Sequence, residues 1–194
     1  MGRIQSMSSA MVLLLAAGCG SPGGGPASWT TETGEWGPPR EAAQEAQPPG
    51  PLVYEGAVVR VVDGDTVSVD LGGWEEPVRL IGIDTPETGA GGHAAPECGG
   101  EDATAFAEAL LPEAEPVIVE VGAEARDLYG RLLGYVARSG DGLFVNLEIA
   151  SAGHAEALAI EPNTKWADEI GAAVDRARNE GLGLWGHCAA AAAG

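Results

Sequence analysis

Two carboxylates stand three residues apart after an apolar run in the segment Arg79-Leu-Ile-Gly-Ile-Asp84-Thr85-Pro86-Glu87. Arg79 precedes the first of them, Asp84, by five residues. Carboxylate oxygens bind hard cations such as calcium and magnesium, and a positioned carboxylate can accept a proton from water. A guanidinium donates paired hydrogen bonds to phosphate oxygens. The segment therefore predicts a place where a cation, a water molecule and a phosphate meet.

Two other segments supply side chains of the same kinds. Asp65 lies nineteen residues before Asp84, in the acidic turn Val62-Asp-Gly-Asp-Thr66. Arg131 ends the segment Asp127-Leu-Tyr-Gly-Arg131. A ligand set rich in oxygen favours calcium (Ca²⁺) or magnesium over zinc. Taken together, the three segments predict metal-dependent cleavage of a phosphodiester.

Each of these residues also has a purely structural interpretation. An Asp-Gly pair is commonly only a turn, and Arg79 can simply pair with a neighbouring carboxylate. For Asp65, Glu87 or Arg131 taken singly, the structural interpretation is the more frequent one. Several such residues at the strand ends of one small domain favour a functional site.

The elements that must position these residues are short strands separated by tight turns. Alternating and β-branched apolar residues predict five strands, at 53–62, 66–71, 77–83, 116–121 and 131–136. Helical spacing predicts three helices, at 101–111, 145–152 and 164–181, the last capped by Asn163 or Thr164 and stopped by Gly181. The pattern predicts an α+β fold with a mainly β core, a small antiparallel five-stranded barrel of the OB kind.

The charge of the chain limits how it can hold a polyanion. The 194 residues carry a net charge of −19, and residues 51–194 alone hold 8 Lys and Arg against 25 Asp and Glu. Proteins that bind nucleic acid normally present a basic surface. The composition argues against tight, non-specific binding over a wide basic face. It leaves open an enzyme whose few cations and bound metal act only at the site.

The N-terminus predicts export. Arg3 precedes an apolar run at 11–17 that is too short to span a bilayer as a helix. Small residues then precede Cys19, a pattern that resembles the lipobox of bacterial lipoproteins, whose cysteine is lipid-modified. We predict a signal peptide at 1–18 and a protein anchored through Cys19 to the membrane of the bacterial cell envelope, in the periplasm or at the cell surface. A simple cleaved signal and secretion is the alternative.

The composition after Cys19 predicts the domain organisation. Residues 19–51 are rich in Gly and Pro and predict a tether, residues 52–188 form the folded domain, and 189–194 are an Ala-rich tail. Cys98 and Cys188 remain as a pair outside the cytosol, and such a pair is usually a disulfide. Two unpaired surface thiols are the alternative.

Residues 53–188 resemble the staphylococcal nuclease (thermonuclease) family. The resemblance rests on the segments 62–66, 79–88 and 127–131, with looser support at 97–103, 145–148 and 183–185. It implies an OB-fold barrel with three helices. It also implies hydrolysis of DNA and RNA at the 5′ P–O bond, which leaves 3′-phosphate ends.

The resemblance also implies roles for the residues of these segments. Ca²⁺ would be bound by Asp65, Asp84 and the backbone carbonyl of Thr85. Arg79 and Arg131 would hold the scissile phosphate, Glu87 would act on the attacking water, and Tyr129 would contact a phosphate or nucleotide. All of these positions carry the expected residue types.

Two departures from the family pattern concern how the substrate is held. Leu128 is apolar where family members often have lysine, and the segment 153–162 lacks the tyrosines that flank the nucleotide base in the family's best-known member. Stacking on an aromatic ring contributes about 1–3 kcal/mol per base. These departures predict weaker affinity or an altered preference for substrate.

The leading hypothesis is therefore a calcium-dependent nuclease that needs no obligate protein partner and acts as a monomer on nucleic acid. The main alternative is a catalytically weak or inactive OB-fold module that binds oligonucleotide or protein at the cell envelope. A phosphodiesterase for small or lipid-derived substrates is a third alternative, disfavoured because the sequence shows no dedicated pocket. The complete set Arg79, Glu87 and Arg131 favours the nuclease, since a pure binding module would not need it.

Overall fold

The computed structural model describes residues 51–89 and 95–192, which belong to one compact unit, Glu45–Gly194. The predicted signal peptide, Cys19 and the tether up to residue 50 lie outside the described residues. Within the described part of the chain, no helix is long and apolar enough to cross a membrane.

Five strands close into a barrel in the order β1-β2-β3-β6-β5. The barrel strands are β1 (Val53–Asp63), β2 (Thr66–Asp70), β3 (Glu75–Leu80), β5 (Pro116–Arg126) and β6 (Leu132–Arg138). Four neighbouring pairs are antiparallel, but β3 and β6 run parallel, so the prediction of a wholly antiparallel barrel was wrong. The parallel pair closes the barrel and brings the C-terminal half of β3 beside the first residues of β6. The five-stranded α+β barrel itself confirms the predicted fold class.

The predicted third strand at 77–83 is two strands. β3 ends at Leu80, and β4 (Gly82–Asp84) leaves the barrel to pair with β7 (Glu156–Leu158), which the sequence analysis did not predict. Gly82 has a φ of 89°, a conformation that favours glycine, and a Cβ there would lie 2.6 Å from Cδ1 of Ile170. The break turns the acidic end of the segment away from the barrel wall.

The described residues form four helices: α1 (Gly100–Leu110), α2 (Val145–Ser151), α3 (Ala167–Glu180) and α4 (Leu184–Ala192). The first two pack against barrel strands, α3 packs on α2, and α4 packs on α3. The predicted cap of α3 was wrong, because its N-cap is Trp166 and the amide of Asn163 instead bonds the backbone of Glu124. Gly181 ends α3 in the left-handed conformation, as predicted. The sequence analysis did not predict α4, which continues into the Ala-rich tail.

The core consists largely of β-branched side chains from the barrel strands and of apolar residues from α2 and α3. One polar side chain, Asn146 of α2, is fully buried within it. Its amide oxygen accepts a hydrogen bond from the Val136 N–H at 2.9 Å, and its amide nitrogen donates to the carbonyls of Ile81 at 2.8 Å and Gly134 at 3.3 Å. Asn146 therefore ties α2 to β6 and to the break between β3 and β4.

We expect Asn146→Ala to lower the free energy of unfolding by about 2–5 kcal/mol, because it leaves buried backbone groups at Val136 and Ile81 without partners, at about 1–3 kcal/mol each. Urea unfolding measures the change. Asn179→Ala, on the exposed face of α3, is the matched control and should stay within about 0.5 kcal/mol. Equal changes in the two variants would contradict this role.

Candidate active site

Arg79 of β3 is the centre of the candidate site. Its side chain is only 12% exposed, and its Nη2 atom lies 2.7 Å from Oδ1 of Asp84 and 3.1 Å from Oδ2 of Asp65. One guanidinium nitrogen thus joins the two carboxylates that the sequence analysis assigned to a cation. Asp84 ends β4 and is 58% exposed, whereas the Asp65 side chain is 8% exposed.

The guanidinium of Arg79 is held by hydrogen bonds to backbone carbonyls as well as by the two carboxylates. Its Nη1 atom donates to the carbonyl of Leu80 at 2.9 Å and to that of Ile83 at 2.8 Å. Both carbonyls flank the break between β3 and β4. The local change of direction therefore provides the acceptors that orient the arginine.

Asp65 lies in the turn between β1 and β2 and is held by Thr85. The N–H and the hydroxyl of Thr85 donate to Oδ2 of Asp65 at 2.9 Å and 3.1 Å. Burial raises the pKa of Asp65 to about 6, although the Arg79 guanidinium and the Thr85 hydrogen bonds act to lower it. The positive charge of Arg79 and the Thr85 hydrogen bonds therefore do not fully offset the cost of burying the ionised Asp65 carboxylate.

Thr66 connects this acidic pair to the second arginine. Its hydroxyl donates to Oδ1 of Asp65 at 3.1 Å and accepts a hydrogen bond from Nη1 of Arg131 at 3.3 Å. Arg131 precedes β6, and its side chain is 30% exposed. A single series of polar contacts therefore joins both arginines and both aspartates.

Asp127 organises the loop that carries Arg131 and Tyr129, a role that the sequence analysis missed. Oδ1 accepts from the N–H groups of Tyr129 and Arg131, both at 2.9 Å, and Oδ2 accepts from Nε of Arg131 at 2.6 Å. Burial acts to raise the pKa of Asp127, but these hydrogen bonds outweigh it and the pKa lies below its ordinary value. An aspartate two residues before a tyrosine and four before an arginine, with Gly130 between them, is the signal that would have identified this turn.

Glu87 lies apart from this network. It is exposed on the segment that follows β4, and no hydrogen bond joins its carboxylate to another described residue. Its backbone is bonded to Glu97: the Glu87 N–H donates to Oε2 of Glu97 at 3.1 Å, and the Glu87 carbonyl accepts from the Glu97 N–H at 2.8 Å. The carboxylate is thus carried on a fixed backbone, with its side chain open to solvent.

A cleft of about 420 Å³ lies beside the arginines. Arg79, Tyr129 and Arg131 line it together with aliphatic side chains, among them Leu158 and Ile160. Tyr129 is 85% exposed, and the Arg131 guanidinium lies 5.5 Å from the centre of its ring. The cleft therefore combines donors for a phosphate with an apolar wall, and it supplies the pocket that the sequence did not show.

Comparison with known proteins agrees with this geometry. A family model described as "Staphylococcal nuclease homologue" matches residues 77–187. The chain belongs to the staphylococcal nuclease family. The matched range contains both arginines, Asp84, Glu87 and the cleft residues, and it excludes Asp65.

Individual relatives support the same membership. Thermonuclease of Staphylococcus intermedius is 39% identical over 128 residues, which cover 66% of this chain and 74% of the relative. Thermonuclease of Staphylococcus hyicus is 35% identical over 128 residues, 66% of this chain and 73% of the relative. Endonuclease YhcR of Bacillus subtilis (strain 168) is 36% identical over 167 residues, which cover 76% of this chain and only 13% of the relative.

We expect the free energy of unfolding to depend on pH through Asp65. The experiment is done in the presence of a chelator. Because the pKa of Asp65 is raised on folding, the protonated carboxyl contributes stability that is fully present below pH 3.8, the ordinary pKa. That stability is lost as the pH rises through about 6. Asp65→Asn should therefore be more stable than the wild type at pH 7 by about 1–3 kcal/mol, at about 1.4 kcal/mol per pKa unit.

Urea unfolding of both proteins at several pH values between 4 and 7 measures this difference. It should shrink towards pH 4, where the Asp65 carboxyl is protonated. Asn179→Ala, on the exposed face of α3, removes no titrating group and is the control, so its difference from the wild type should not change with pH. A difference between Asp65→Asn and wild type that is constant over this range would contradict the assignment.

Proposed function

We propose that this protein is a calcium-dependent nuclease that hydrolyses phosphodiester bonds of DNA, RNA or both and leaves 3′-phosphate ends. The observation that carries the proposal is the series of contacts joining Asp84, Arg79, Asp65, Thr66 and Arg131 beside the cleft. Membership of the staphylococcal nuclease family supports it, since the two thermonucleases and endonuclease YhcR are named as nucleases.

The candidate ligands have the chemistry of a hard-cation site. Asp65 and Asp84 already approach one positive group, Nη2 of Arg79, and burial disfavours the charge on Asp65 unless more positive charge is supplied. Within residues 51–89 and 95–192, no group of three or more His, Cys, Asp and Glu side chains could hold a metal. The two carboxylates and the Thr85 carbonyl would therefore hold Ca²⁺ with further oxygens from water and substrate, as calcium commonly requires six to eight ligands.

Each residue of the site would have a separate role in the reaction. Arg131 would donate hydrogen bonds to the non-bridging oxygens of the phosphate, and Arg79 would do so by exchanging its Nη2 contacts with Asp65 and Asp84 for phosphate oxygens. Both would stabilise the charge that grows as the water oxygen attacks phosphorus. Glu87 would accept a proton of that water. The bond from phosphorus to the 5′ oxygen would break, and its electron pair would pass to that oxygen, which takes up a proton from solvent. Calcium, when bound, would add positive charge at the same phosphate.

Outside the site, the described cations are mostly neutralised by carboxylates. The pairs are Arg60–Glu75, Arg126–Glu76, Arg138–Asp141, Lys165–Glu120 and Arg178–Asp175. The described part of the protein therefore offers little free positive surface to a polyanion. Affinity for nucleic acid would therefore depend on the arginines of the site, the metal and the cleft. This agrees with a nuclease that binds its substrate weakly.

We expect Glu87→Ala to reduce kcat for single-stranded DNA by about 10²–10⁴-fold in the presence of Ca²⁺, the range that a positioned general base contributes. The assay uses the full chain, with and without chelator, and chelator should abolish cleavage by the wild type. Glu113→Ala, at an exposed glutamate outside the site, is the control and should cleave as the wild type does. A wild type that does not cleave, or equal rates for Glu87→Ala and wild type, would overturn the proposed function.

We expect an aromatic residue in the cleft to improve capture of substrate. Ile160 lines the cleft and is 58% exposed, so Ile160→Tyr would place a ring where an unpaired base can stack. At about 1–3 kcal/mol per base, KM for single-stranded DNA should fall by about fivefold or more. Ile118→Tyr, on the outer face of β5, is the control, and an equal KM in the two variants would contradict the role of the cleft.

A further inference from the structure

The position of Glu87 depends on a neighbour that takes no part in the network of arginines and aspartates. Glu97 bonds both backbone polar groups of Glu87, as donor through its own N–H at 2.8 Å and as acceptor through Oε2 at 3.1 Å. The chain also packs closely here, because a Cβ at Gly100 would lie 2.5 Å from the Glu87 carbonyl oxygen. The backbone that carries the Glu87 carboxylate is thus clamped to the segment 97–100.

That segment continues into α1, which begins at Gly100, and the Gly99 carbonyl accepts from the Ala103 N–H at 2.9 Å. Residues 95–98 are exposed and form no helix or strand, and the Gly100 N–H donates to the Glu97 carbonyl at 3.2 Å. The next residue, Cys98, forms a disulfide with Cys188 of α4, which lies ninety residues further along the chain. The disulfide is therefore a second covalent link between the clamp and the body of the domain, besides the backbone that enters α1 at Gly100.

The far end of this link is firmly held. Leu184, in the first turn of α4, is 8% exposed, and its N–H donates to the carbonyl of Gly153 at 2.9 Å. The guanidinium of Arg178 on α3 lies 4.3 Å from the centre of the Trp185 ring. Because α4 is fixed to α3 and to the end of α2, the disulfide transfers that rigidity to Glu97.

We propose that Glu97 and the Cys98–Cys188 disulfide form a brace that positions Glu87, so that the oxidised protein has a faster catalytic step than the reduced one. This proposal rests on the proposed function of Glu87. A dithiol reductant delivers two electrons and two protons to the disulfide, giving two thiols while the dithiol becomes a disulfide. Glu97 is a positioning residue here, because it touches Glu87 and not the reacting atoms.

The brace has a specific kinetic consequence. Arg79, Asp65 and Arg131 are held by contacts that do not involve Glu97 or the disulfide. Reduction should therefore leave phosphate binding, and hence KM, nearly unchanged. It should lower kcat, because a displacement of about 1 Å in a catalytic group can cost about a hundredfold in rate.

The test measures kcat and KM of the full chain on single-stranded DNA with Ca²⁺, before and after treatment with dithiothreitol. We expect kcat to fall by about 10- to 100-fold on reduction with KM within twofold. The double variant Cys98→Ser/Cys188→Ser should have the low kcat already and should not respond to dithiothreitol, although it retains Cys19. Glu97→Ala should lower kcat similarly in the oxidised protein, whereas Glu97→Gln, which keeps an oxygen acceptor, should restore it.

Two further measurements separate the brace from general destabilisation and from the proposed function. In the Glu87→Ala background, reduction should not change the residual rate, because the brace acts through Glu87. Amide hydrogen exchange, followed by NMR, should show that the N–H groups of Glu87 and Glu97 lose protection on reduction while that of Val136 in the core does not.

These outcomes decide the proposal whether or not the protein is active. Unchanged kcat on reduction, equal effects of Glu97→Ala and Glu97→Gln, or a further loss of rate on reduction of Glu87→Ala would overturn the brace. An oxidised wild type without nuclease activity would overturn the proposed function alone, and the amide exchange would then decide the brace. If the protein is inactive, unchanged hydrogen-exchange protection of the Glu87 and Glu97 N–H groups on reduction would contradict the brace.

Discussion

The guanidinium of Arg79 holds the candidate site together. One of its nitrogens bonds two backbone carbonyls at the break between β3 and β4, and the other contacts the carboxylates of Asp65 and Asp84. These carboxylates come from a turn before β2 and from the end of β4, so the arginine joins two separate parts of the chain. Two carboxylates that face each other across a partly buried space would otherwise repel. Removing Arg79 would therefore disturb both the phosphate-binding group and the ligands proposed for the cation.

The remaining polar contacts connect the Arg79 cluster to Arg131 and its loop, and within the described residues they do not reach Glu87. Thr66 links Asp65 to Arg131, and Asp127 fixes the loop that presents Arg131 and Tyr129. Glu87 is held by different means, through Glu97 and the disulfide. The site thus has two parts: the arginines and aspartates proposed to bind the phosphate and the cation, and the segment that carries Glu87, the proposed base. This division explains how a change in one part can alter kcat while leaving KM alone.

The sequence predicted the residue types at the site and most of the barrel because both depend on local patterns. β-Branched apolar residues identified β1, alternating apolar residues identified β2, and the acidic and arginine segments identified the site side chains. The break at Gly82 was not predicted, because apolar residues on both sides of the glycine favour one continuous strand, and the close approach of Ile170 comes from a distant helix. The parallel pairing of β3 with β6 and the short strand β7 likewise depend on tertiary contacts. The structuring role of Asp127 was present in the spacing of its segment and was overlooked.

Calorimetric titration of Ca²⁺ into the metal-free full chain tests whether the carboxylates held by Arg79 form a cation site. We expect one Ca²⁺ ion to bind per chain, with an affinity at least tenfold weaker in Asp84→Asn than in the wild type. Asp175→Asn should bind as the wild type does. Absence of binding to the wild type, or equal affinity in Asp84→Asn and wild type, would show that these carboxylates do not bind Ca²⁺.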